Sequence, residues 1–403
     1  MKQIYNISLS TICQLLIYII ILWVNLISVP KTDMVSLITR CLQIIEMTVF
    51  LILLISRIKS TISLHRYNLY VSLWWLLYII ITYLHPHTMG LTPFFWWLHV
   101  GVLLLLGTYY WEDNFQISMK WLTILLSGLI YLNTILLILY PEGLWIDENW
   151  VGRGSPVRYL FGNYNQIGFV SLLAITIHAI YTFYTNKGYT NLYILLAVSL
   201  FSVIFVGSMT SSTGLFILSM YILFHRRIKR PLLVIGIFGA IYIVIFVLIV
   251  WLGHSIEEFS LATRFIENTL QKDTTFSFRT SIWENAVREI SKSPYFGYGI
   301  KDVVWNDEHL GGSGPHNIWL MLMLQGGIVL CVSFIGIVVY AVKTALQMRT
   351  SYSMVAIVAL CVLFLMALFE TYDIVLIFLL IQILFYTSTL SNPEDKTLER
   401  IEV

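Results

Sequence analysis

Long apolar segments, each close to the length that crosses a lipid bilayer, dominate this chain. A membrane-spanning helix needs about 20 consecutive apolar residues, and twelve stretches of the sequence approach or exceed that length. They lie near residues 11–29, 34–56, 67–84, 94–111, 119–140, 159–183, 190–206, 211–225, 232–253, 316–342, 352–369 and 372–388. Only 11% of the 403 residues are charged, against about 25% in soluble domains. The sequence therefore predicts an all-α polytopic membrane protein of about twelve transmembrane helices, forming a single integral membrane domain over residues 1–403.

The first apolar run begins close to the N-terminus, within MKQIYNISLSTICQLLIYIIILWVNL. It is too long for a signal peptide, and no small-residue cleavage site follows, so we expect the first spanning helix here. The four cysteines also lie in apolar runs, which is typical of small buried side chains and not of a disulfide framework or a metal site. They are Cys13, Cys41, Cys331 and Cys361.

The distribution of lysine and arginine predicts the orientation of the chain. If the N-terminus is cytoplasmic, most basic residues fall in inner loops, and the strongest cluster is HRRIKR at 225–230. The outer basic residues are then concentrated in 141–158 and 254–315. Long loops are translocated despite their charge, so this asymmetry predicts that both termini are cytoplasmic.

The segment 254–315 is predicted to be a large extracytoplasmic loop. Ser281 and Glu284 have the spacing of a helix capping box, apolar residues follow at helical spacing, and Pro294 ends the pattern. We therefore expect a short amphipathic helix near 281–292, lying on the outer face of the protein.

His316 is the first candidate for chemistry. It follows Pro315 at the start of the tenth apolar run, and proline favours the first turn of a helix. We therefore expect His316 within that turn, where the helix dipole disfavours the imidazolium, and a neutral imidazole can accept a proton. The alternative is an interfacial histidine that only satisfies backbone groups. Asn317 beside it is expected either to cap the helix or to orient a polar substrate.

Arg158 and Arg279 are the next candidates. Arg158 lies where an outer loop meets the sixth apolar run, and Arg279 directly precedes the predicted amphipathic helix. The planar guanidinium binds phosphate oxygens with two parallel hydrogen bonds, whereas the alternative is snorkelling or an ion pair with a nearby acid. The acids considered for such a pair are Asp147, Glu148 and Glu284. Weaker candidates for phosphate binding are Arg153, Arg264 and Arg288.

Further polar residues lie near the predicted outer ends of the apolar runs. Asn163 and Asn165 are expected to face a wet cavity or to bond another helix. The small polar turn 207–214 is expected to line a cavity or to let two helices pack closely. Glu370 and Asp373 fall in the turn between the last two runs, where they could pair with the arginines.

Several common catalytic motifs are absent from the sequence. It contains no P-loop, no His-Glu-x-x-His, no Cys-x-x-Cys and no Asp-x-Asp pair. We therefore expect neither ATP nor a nucleotide-linked donor. We also expect no cofactor and no nucleic-acid partner.

Three motifs, in this order, resemble the O-antigen ligase and Wzy-type polysaccharide polymerase superfamily. They are RYLFGNYNQIGF at 158–169, RTSIWENAVREISKSPYFGYG at 279–299 and PHNIWLMLMLQGG at 315–327. Members of this superfamily often have a Ser-Arg pair before the eighth span. The present chain has Ser211-Ser212-Thr213-Gly214 there. Either another arginine, such as Arg153, Arg264 or Arg288, substitutes for it, or the chain binds its donor differently.

The resemblance implies a metal-independent glycosyltransferase of the GT-C type in the bacterial cytoplasmic membrane, with its active site facing outward. Such a polymerase joins oligosaccharide repeat units, carried on undecaprenyl diphosphate, into a capsule or O-antigen. In the resemblance, His316 is the base, and Arg158 and Arg279 neutralise the leaving diphosphate. Further substrate-binding candidates are Asn163, Asn165, Asn317, Arg288 and Arg153.

Two alternatives stay open at this point. A ligase of the same superfamily would move finished glycan to another acceptor, and the sequence barely separates it from a polymerase. A lipid-linked oligosaccharide flippase ranks behind both, because it should place charges at mid-membrane depth and show related halves. The expected partners are the lipid-linked donor and acceptor, the lipid bilayer, a flippase and a chain-length regulator.

Overall fold

The computed structural model describes residues 9–28, 30, 32–58, 66–86, 90–147, 155–228, 231–251, 279–348 and 350–388. Within these residues the chain forms fourteen α-helices. They are α1 (Leu9–Leu26), α2 (Asp33–Ile58), α3 (Arg66–Leu84), α4 (Thr92–Leu106), α5 (Glu112–Leu139), α6 (Tyr164–Thr185), α7 (Tyr189–Phe205), α8 (Met209–Phe224), α9 (Pro231–Ile245), α10 (Arg279–Lys292), α11 (Val303–Leu310), α12 (Ile318–Met348), α13 (Ser351–Met366) and α14 (Ile374–Thr387). Short π-helical segments follow α4 (Gly107–Trp111) and α9 (Phe246–Trp251), and a 3₁₀ turn follows α8 (His225–Arg227). The strands β1 (Trp145–Ile146) and β2 (Val157–Arg158) pair antiparallel.

Twelve of these helices coincide with the twelve predicted apolar runs, and the prediction of an all-α polytopic membrane protein is confirmed. By length and composition, five helical stretches in the described residues can cross a membrane: Leu37–Ile55, Arg66–Leu84, Asn114–Leu139, Tyr164–Thr185 and Ile318–Met348. Shorter apolar helices accompany them, and the full number of crossings stays a prediction.

The centre of the bundle is formed by α6, α13 and α14. Every residue of α14 is buried, and α6 is buried along most of its length. Both helices carry apolar residues on every side, as is typical of helices inside a bundle. Helix α6 packs against α5, α7, α8 and α13. In contrast, α2 is mostly exposed, as a lipid-facing helix at the edge of a bundle should be.

Small residues bring α6, α8 and α13 into close contact. A Cβ atom added to Gly168 would lie 2.1 Å from the side chain of Ser211, and one added to Gly214 would lie 2.4 Å from the Met366 sulfur. Such close approach of backbones is a common way to pack membrane helices. The predicted packing role of the 207–214 turn is therefore confirmed.

Helix α12, which corresponds to the apolar run near 316–342, is not continuous. It breaks at Gly327, whose φ of 62° and ψ of −165° are not helical. The turn after α10 enters the break: the amide of Tyr298 donates to the carbonyl of Leu324 at 2.7 Å, and the amide of Ile328 donates to that of Pro294 at 2.9 Å. The backbone groups released by the break thus find partners in the polar segment.

Glycine is needed where these two pieces of backbone meet. A Cβ atom on Gly297 would lie 2.3 Å from the Leu324 carbonyl oxygen, and one on Gly327 would lie 2.2 Å from the Tyr295 backbone. Both glycines also have positive φ values, which other residues adopt at a cost. The FGYG sequence at 296–299 and the QGG sequence at 325–327 therefore contact each other through their backbones.

The predicted amphipathic helix is confirmed as α10. Its buried face consists of Ile282, Trp283, Ala286 and Glu289. The predicted capping box is wrong, because Ser281 lies inside the helix and not before it. Positions 254–278 of the predicted loop lie outside the described residues.

Candidate functional site

Glu370 is the centre of a buried polar cluster. It lies in the turn between α13 and α14 and is 3% exposed. Its Oε1 accepts a hydrogen bond from Nδ1 of His316 at 2.8 Å. Its Oε2 accepts from the Arg279 guanidinium at 2.9 Å and from the Asn165 amide at 2.5 Å. One carboxylate thus brings together three of the predicted site residues, from the starts of α6, α10 and α12, and the predicted pairing of Glu370 with an arginine is confirmed.

The environment of Glu370 favours its charged form. Burial alone would raise the pKa of this carboxyl group, but the hydrogen bond from His316, the charge that this ring carries when it is protonated, the positive charge of Arg279 and the hydrogen bond from Asn165 outweigh it. The net result is a pKa below the usual value for glutamate. Glu370 is therefore an ionised carboxylate at neutral pH.

His316 lies before α12 and not in its first turn, so the predicted placement is wrong. Asn317 caps the helix instead, with its Oδ1 accepting from the amides of Trp319 at 2.9 Å and Leu320 at 3.1 Å. Asparagine is a favoured N-cap residue because its side chain satisfies these amides. The predicted capping role of Asn317 is confirmed. His316 itself has a φ of 46°, a backbone conformation that few residues other than glycine adopt.

The contact with Glu370 determines how His316 can act. An ionised carboxylate only accepts hydrogen bonds, so Nδ1 of His316 carries the proton in this pair. In the neutral imidazole, Nε2 then keeps the lone pair that can accept a second proton. The side chain is 23% exposed, so this nitrogen belongs to a partly open group. The base function predicted for His316 is thus chemically feasible, because the contact with Glu370 leaves Nε2 as the nitrogen that can accept a proton.

Backbone contacts hold the His316–Glu370 pair in position. The amide of Ile318 donates to the carbonyl of Ala367 at 3.0 Å, and the side chain of Asn317 donates to the carbonyl of Leu368 at 3.0 Å. The start of α12 is therefore tied to the turn that carries Glu370. Trp283 of α10 adds a third support by donating to the carbonyl of Pro315 at 2.9 Å.

Two serines orient Asn165. The hydroxyl of Ser208 donates to Oδ1 of Asn165 at 2.8 Å, which leaves the amide nitrogen directed at Glu370. The hydroxyls of Ser208 and Ser211 are 2.8 Å apart, and all three residues are buried. The interior position predicted for Asn165 is confirmed. Serines at the 207–214 turn therefore support the cluster in the region where the resembled superfamily often has an arginine.

An apolar groove of about 440 Å³ opens beside the cluster. Arg279 and Asn165 form its polar end, and α8, α9 and α13 supply most of its wall. The apolar wall residues are Met209, Ile217, Ile241, Ile245, Leu365, Met366 and Phe369. The small turn 207–214 also lines this groove. A guanidinium at the end of a hydrocarbon-lined groove suits an amphiphile with an anionic head group.

Arg158 belongs to a different set of contacts. It is 7% exposed, its Nη2 lies 3.2 Å from Oδ2 of Asp147, and its Nη1 donates to the carbonyls of Ser155 at 3.0 Å and Val157 at 3.2 Å. The ion pair with Asp147 that the sequence offered as an alternative is therefore present. Arg158 supports the β1–β2 hairpin, and its predicted phosphate contact stays a prediction.

The remaining predicted residues lie in varied positions. Asn163 caps α6 by accepting from the amides of Asn165 and Gln166, both at 3.1 Å, so its side chain serves the helix and not a cavity. Arg288 is exposed on α10 and bonds Asn285. Arg153 and Arg264 lie outside the described residues.

A second carboxylate–histidine pair was missed by the sequence reasoning. Nδ1 of His99 on α4 lies 2.5 Å from Oε2 of Glu46 on α2, and both side chains are almost fully buried. A histidine and a glutamate on separate apolar helices give no local signal that they will meet. Within the part of the chain that the structure describes, no group of three or more His, Cys, Asp or Glu side chains is placed as metal ligands would be.

A known protein family matches a segment in the middle of the chain. Residues 192–335 match the family model Wzy_C, described as O-antigen ligase. The matched region runs from α7 into α12 and includes Arg279 and His316, whereas Asn165 and Glu370 lie outside it. No curated protein matches the chain. Residues 192–335 are thus similar to the O-antigen ligase family, which agrees with the O-antigen ligase and Wzy-type polymerase superfamily that the three motifs resemble.

Proposed function

We propose that this protein is a membrane glycosyltransferase that moves a saccharide from a lipid diphosphate to an acceptor hydroxyl group. The observation that carries the proposal is the His316–Glu370 pair, joined to Arg279 at the polar end of an apolar groove. The proposal assigns His316 as the base and Arg279 as the cation that binds phosphate, and the arrangement supports it because both bond the Glu370 carboxylate and the groove suits a polyprenyl chain. The family match supports the same reaction class.

In this proposal, Nε2 of His316 removes the proton from the acceptor hydroxyl. Glu370 keeps the proton of the neutral ring on Nδ1 and stabilises the imidazolium that forms, as the carboxylate does in other base–carboxylate pairs. The acceptor oxygen forms a bond to the anomeric carbon while the bond from that carbon to the diphosphate oxygen breaks. The electron pair leaves with the diphosphate, and direct displacement inverts the anomeric centre.

Arg279 stabilises the leaving group in the same step. Its guanidinium has five N–H donors, and the contact with Glu370 is made through Nη2. The side chain is 19% exposed and lines the groove, so further donors can bind diphosphate oxygens. Preorganised positive charge at a leaving group lowers the barrier by several kcal/mol, and we propose that no metal ion is required.

We propose more specifically that the donor is a repeat unit on undecaprenyl diphosphate and that the protein is a polymerase of capsule or O-antigen. It would act at the outer face of the bacterial cytoplasmic membrane, with both termini cytoplasmic. A ligase is the second candidate, because the matched family is described as O-antigen ligase. Both use the same class of donor and differ in the acceptor, so the accumulated intermediate distinguishes them.

The test replaces His316 by alanine in cells that make the glycan. A polymerase predicts accumulation of single lipid-linked repeat units and loss of the long-chain ladder, at normal levels of folded protein. Accumulation of full-length lipid-linked polymer would instead identify a ligase. An unchanged ladder would refute the catalytic role of His316.

The matched control is His225→Ala. His225 also lies at a helix end and bonds a backbone carbonyl, that of Ile222, at 2.7 Å. It follows the C-terminal end of α8, whereas the cluster lies near the N-terminal end of that helix. We expect the ladder to be unchanged in this variant.

A further inference from the structure

A second cavity lies beside the catalytic pair, separate from the apolar groove. It is a cleft of about 120 Å³ between the α10–α12 connection, the first half of α12 and the turn that carries Glu370. Its lining includes Lys301, Trp305, Asn306, Gln325 and Thr371. It shares no lining residue with the groove that contains Arg279.

The two cavities flank the His316–Glu370 pair. Arg279 and Asn165, which bond Glu370, line the groove. Pro315 and Thr371, the sequence neighbours of His316 and Glu370, line the cleft. In a direct displacement, the nucleophile enters opposite the leaving group. If the diphosphate occupies the groove, the acceptor must therefore approach from another side, and the cleft lies beside the base.

The wall of the cleft has the chemistry of a carbohydrate site. Trp305 supplies a half-buried indole to the wall of the cleft. The ring of His309 stacks on the indole at 4.2 Å and 12°, and the tilted ring of Tyr298 lies 5.3 Å away, so the indole is held in place while its remaining surface lines the cleft. An aromatic surface of this kind packs against the C–H groups of a pyranose ring, because both are apolar. Its fixed position lowers the entropy lost on binding.

Polar groups with defined orientation accompany the indole. Gln325 accepts a hydrogen bond from the hydroxyl of Tyr78, which directs its amide nitrogen as a donor, and Asn306 donates to the carbonyl of Ser313 at 3.3 Å. Lys301 lies with its ammonium 5.8 Å from the centre of the Trp305 ring. Amides and an ammonium beside an aromatic wall can bind sugar hydroxyl groups with specificity.

We propose that this cleft binds the sugar residue of the acceptor saccharide whose hydroxyl group attacks the donor. The proposal rests on the proposed glycosyl transfer and adds to it the position of the acceptor. Trp305 provides the apolar wall, and Gln325 orients the hydroxyl groups, so that the attacking oxygen meets Nε2 of His316.

The test measures acceptor binding and transfer with the full-length protein in detergent micelles. The probe is the free saccharide released by mild acid from the lipid-linked intermediates of cells that make the glycan. We expect Trp305→Ala to weaken its binding about tenfold, and to raise the KM for the acceptor by a similar factor with a much smaller effect on kcat. Binding of the lipid-linked donor should not change.

The matched control is Phe296→Ala. Phe296 is an exposed aromatic residue of the same connection, 52% exposed, and does not line the cleft. Its replacement should leave the KM for the acceptor within about twofold of the wild-type value.

A second variant fills the cleft without removing any packing. Gly314 lines the cleft, and a Cβ atom added to it would meet no other atom within 4 Å. We expect Gly314→Leu to raise the KM for the acceptor at least tenfold in folded protein. If the wild type transfers saccharide but Trp305→Ala and Gly314→Leu bind the acceptor normally, the cleft is not the acceptor site. If the wild type transfers nothing from the lipid-linked donor, the proposed function itself fails.

Discussion

Two carboxylate–histidine pairs occur in this protein, and their surroundings differ. In the Glu46–His99 pair, the histidine and glutamate side chains are 2% and 1% exposed. In the Glu370–His316 pair, the glutamate is 4% exposed but the histidine is 23% exposed. Both pairs are short contacts between distant parts of the chain, so the contact itself does not identify a catalytic group.

The neighbours of the two pairs explain the difference in function that we propose. Glu370 also bonds Arg279 and Asn165, and the cluster borders an apolar groove and a polar cleft. His99 borders a cavity of about 380 Å³, but its side chain is almost fully buried. A catalytic pair needs a path for the substrate and a nearby charge that stabilises the transition state. Among the described residues, the cluster around Glu370 has both, because it borders two cavities and contains Arg279.

The largest expected effect separates the two histidines. His316→Ala removes the proposed base and should lower kcat by about 10²–10⁴-fold, with normal yield and thermal stability. His99→Ala leaves Glu46 without its partner in the membrane interior, so it should mainly destabilise the protein, by about 3–5 kcal/mol. Transfer from the lipid-linked donor, normalised to folded protein, measures the first effect, and thermal unfolding in detergent measures the second.

Equal losses of kcat in the two folded variants would contradict the distinction between the pairs. A His316→Ala protein that keeps full activity would remove the proposed mechanism altogether.

The next effect compares the two glutamates. Glu370→Gln keeps the shape of the side chain but loses the negative charge that holds the proton on Nδ1 and stabilises the imidazolium. We expect a fall in kcat of about 10²–10⁴-fold. Glu46→Gln should change kcat by less than about fivefold. Single-turnover transfer with a preformed donor complex measures the chemical step, and a normal rate for Glu370→Gln would exclude a charge role for this residue.

Arg279 is expected to contribute a smaller but clear effect. Arg279→Ala should lower kcat by about 10²–10³-fold, because one donor to the leaving group is lost. Arg279→Lys should recover only part of this, since an ammonium lacks the planar pair of donors. Arg288→Ala, on the exposed part of the same helix, should stay within about twofold of the wild type.

Steady-state kinetics with varied donor measures the arginine effects. If Arg288→Ala lowers kcat as much as Arg279→Ala, the diphosphate does not lie at the end of the groove.

Much of the fold follows from local sequence patterns, whereas the centre of the site does not. Apolar runs located the twelve apolar helices, and helical spacing located α10. The break at Gly327 was missed because it depends on a distant segment, the turn around Tyr298, which satisfies the released backbone groups. Hydropathy has no information about such a partner.

The site shows the same division between local and distant information. Motif residues led to His316, Arg279 and Asn165, but the role of Glu370 as their common partner depends on the packing of α6, α12 and α13. The placement of His316 was wrong for a local reason, because Asn317 is the better helix cap. For Arg158, the sequence allowed either a phosphate contact or an ion pair with Asp147. The ion pair forms because β1 and β2 pair and bring the two side chains together.

The smallest expected effect is a dependence of stability on pH. The pKa of Glu370 is lowered in the folded protein, so its charged form stabilises the fold above the unfolded pKa of about 4.3. That contribution is lost as the pH falls below this value and through the folded pKa, because the unfolded chain then binds more protons. The wild type should therefore lose thermal stability below about pH 4.3, and Glu370→Gln should lose less over the same range.

Thermal unfolding in detergent between about pH 6 and pH 3 measures this dependence of stability on pH, and Glu308→Gln on the exposed face of α11 is the control. The wild-type slope in the Glu370→Gln protein would show that the cluster around this carboxylate adds nothing to stability, and that the site is held by backbone contacts alone.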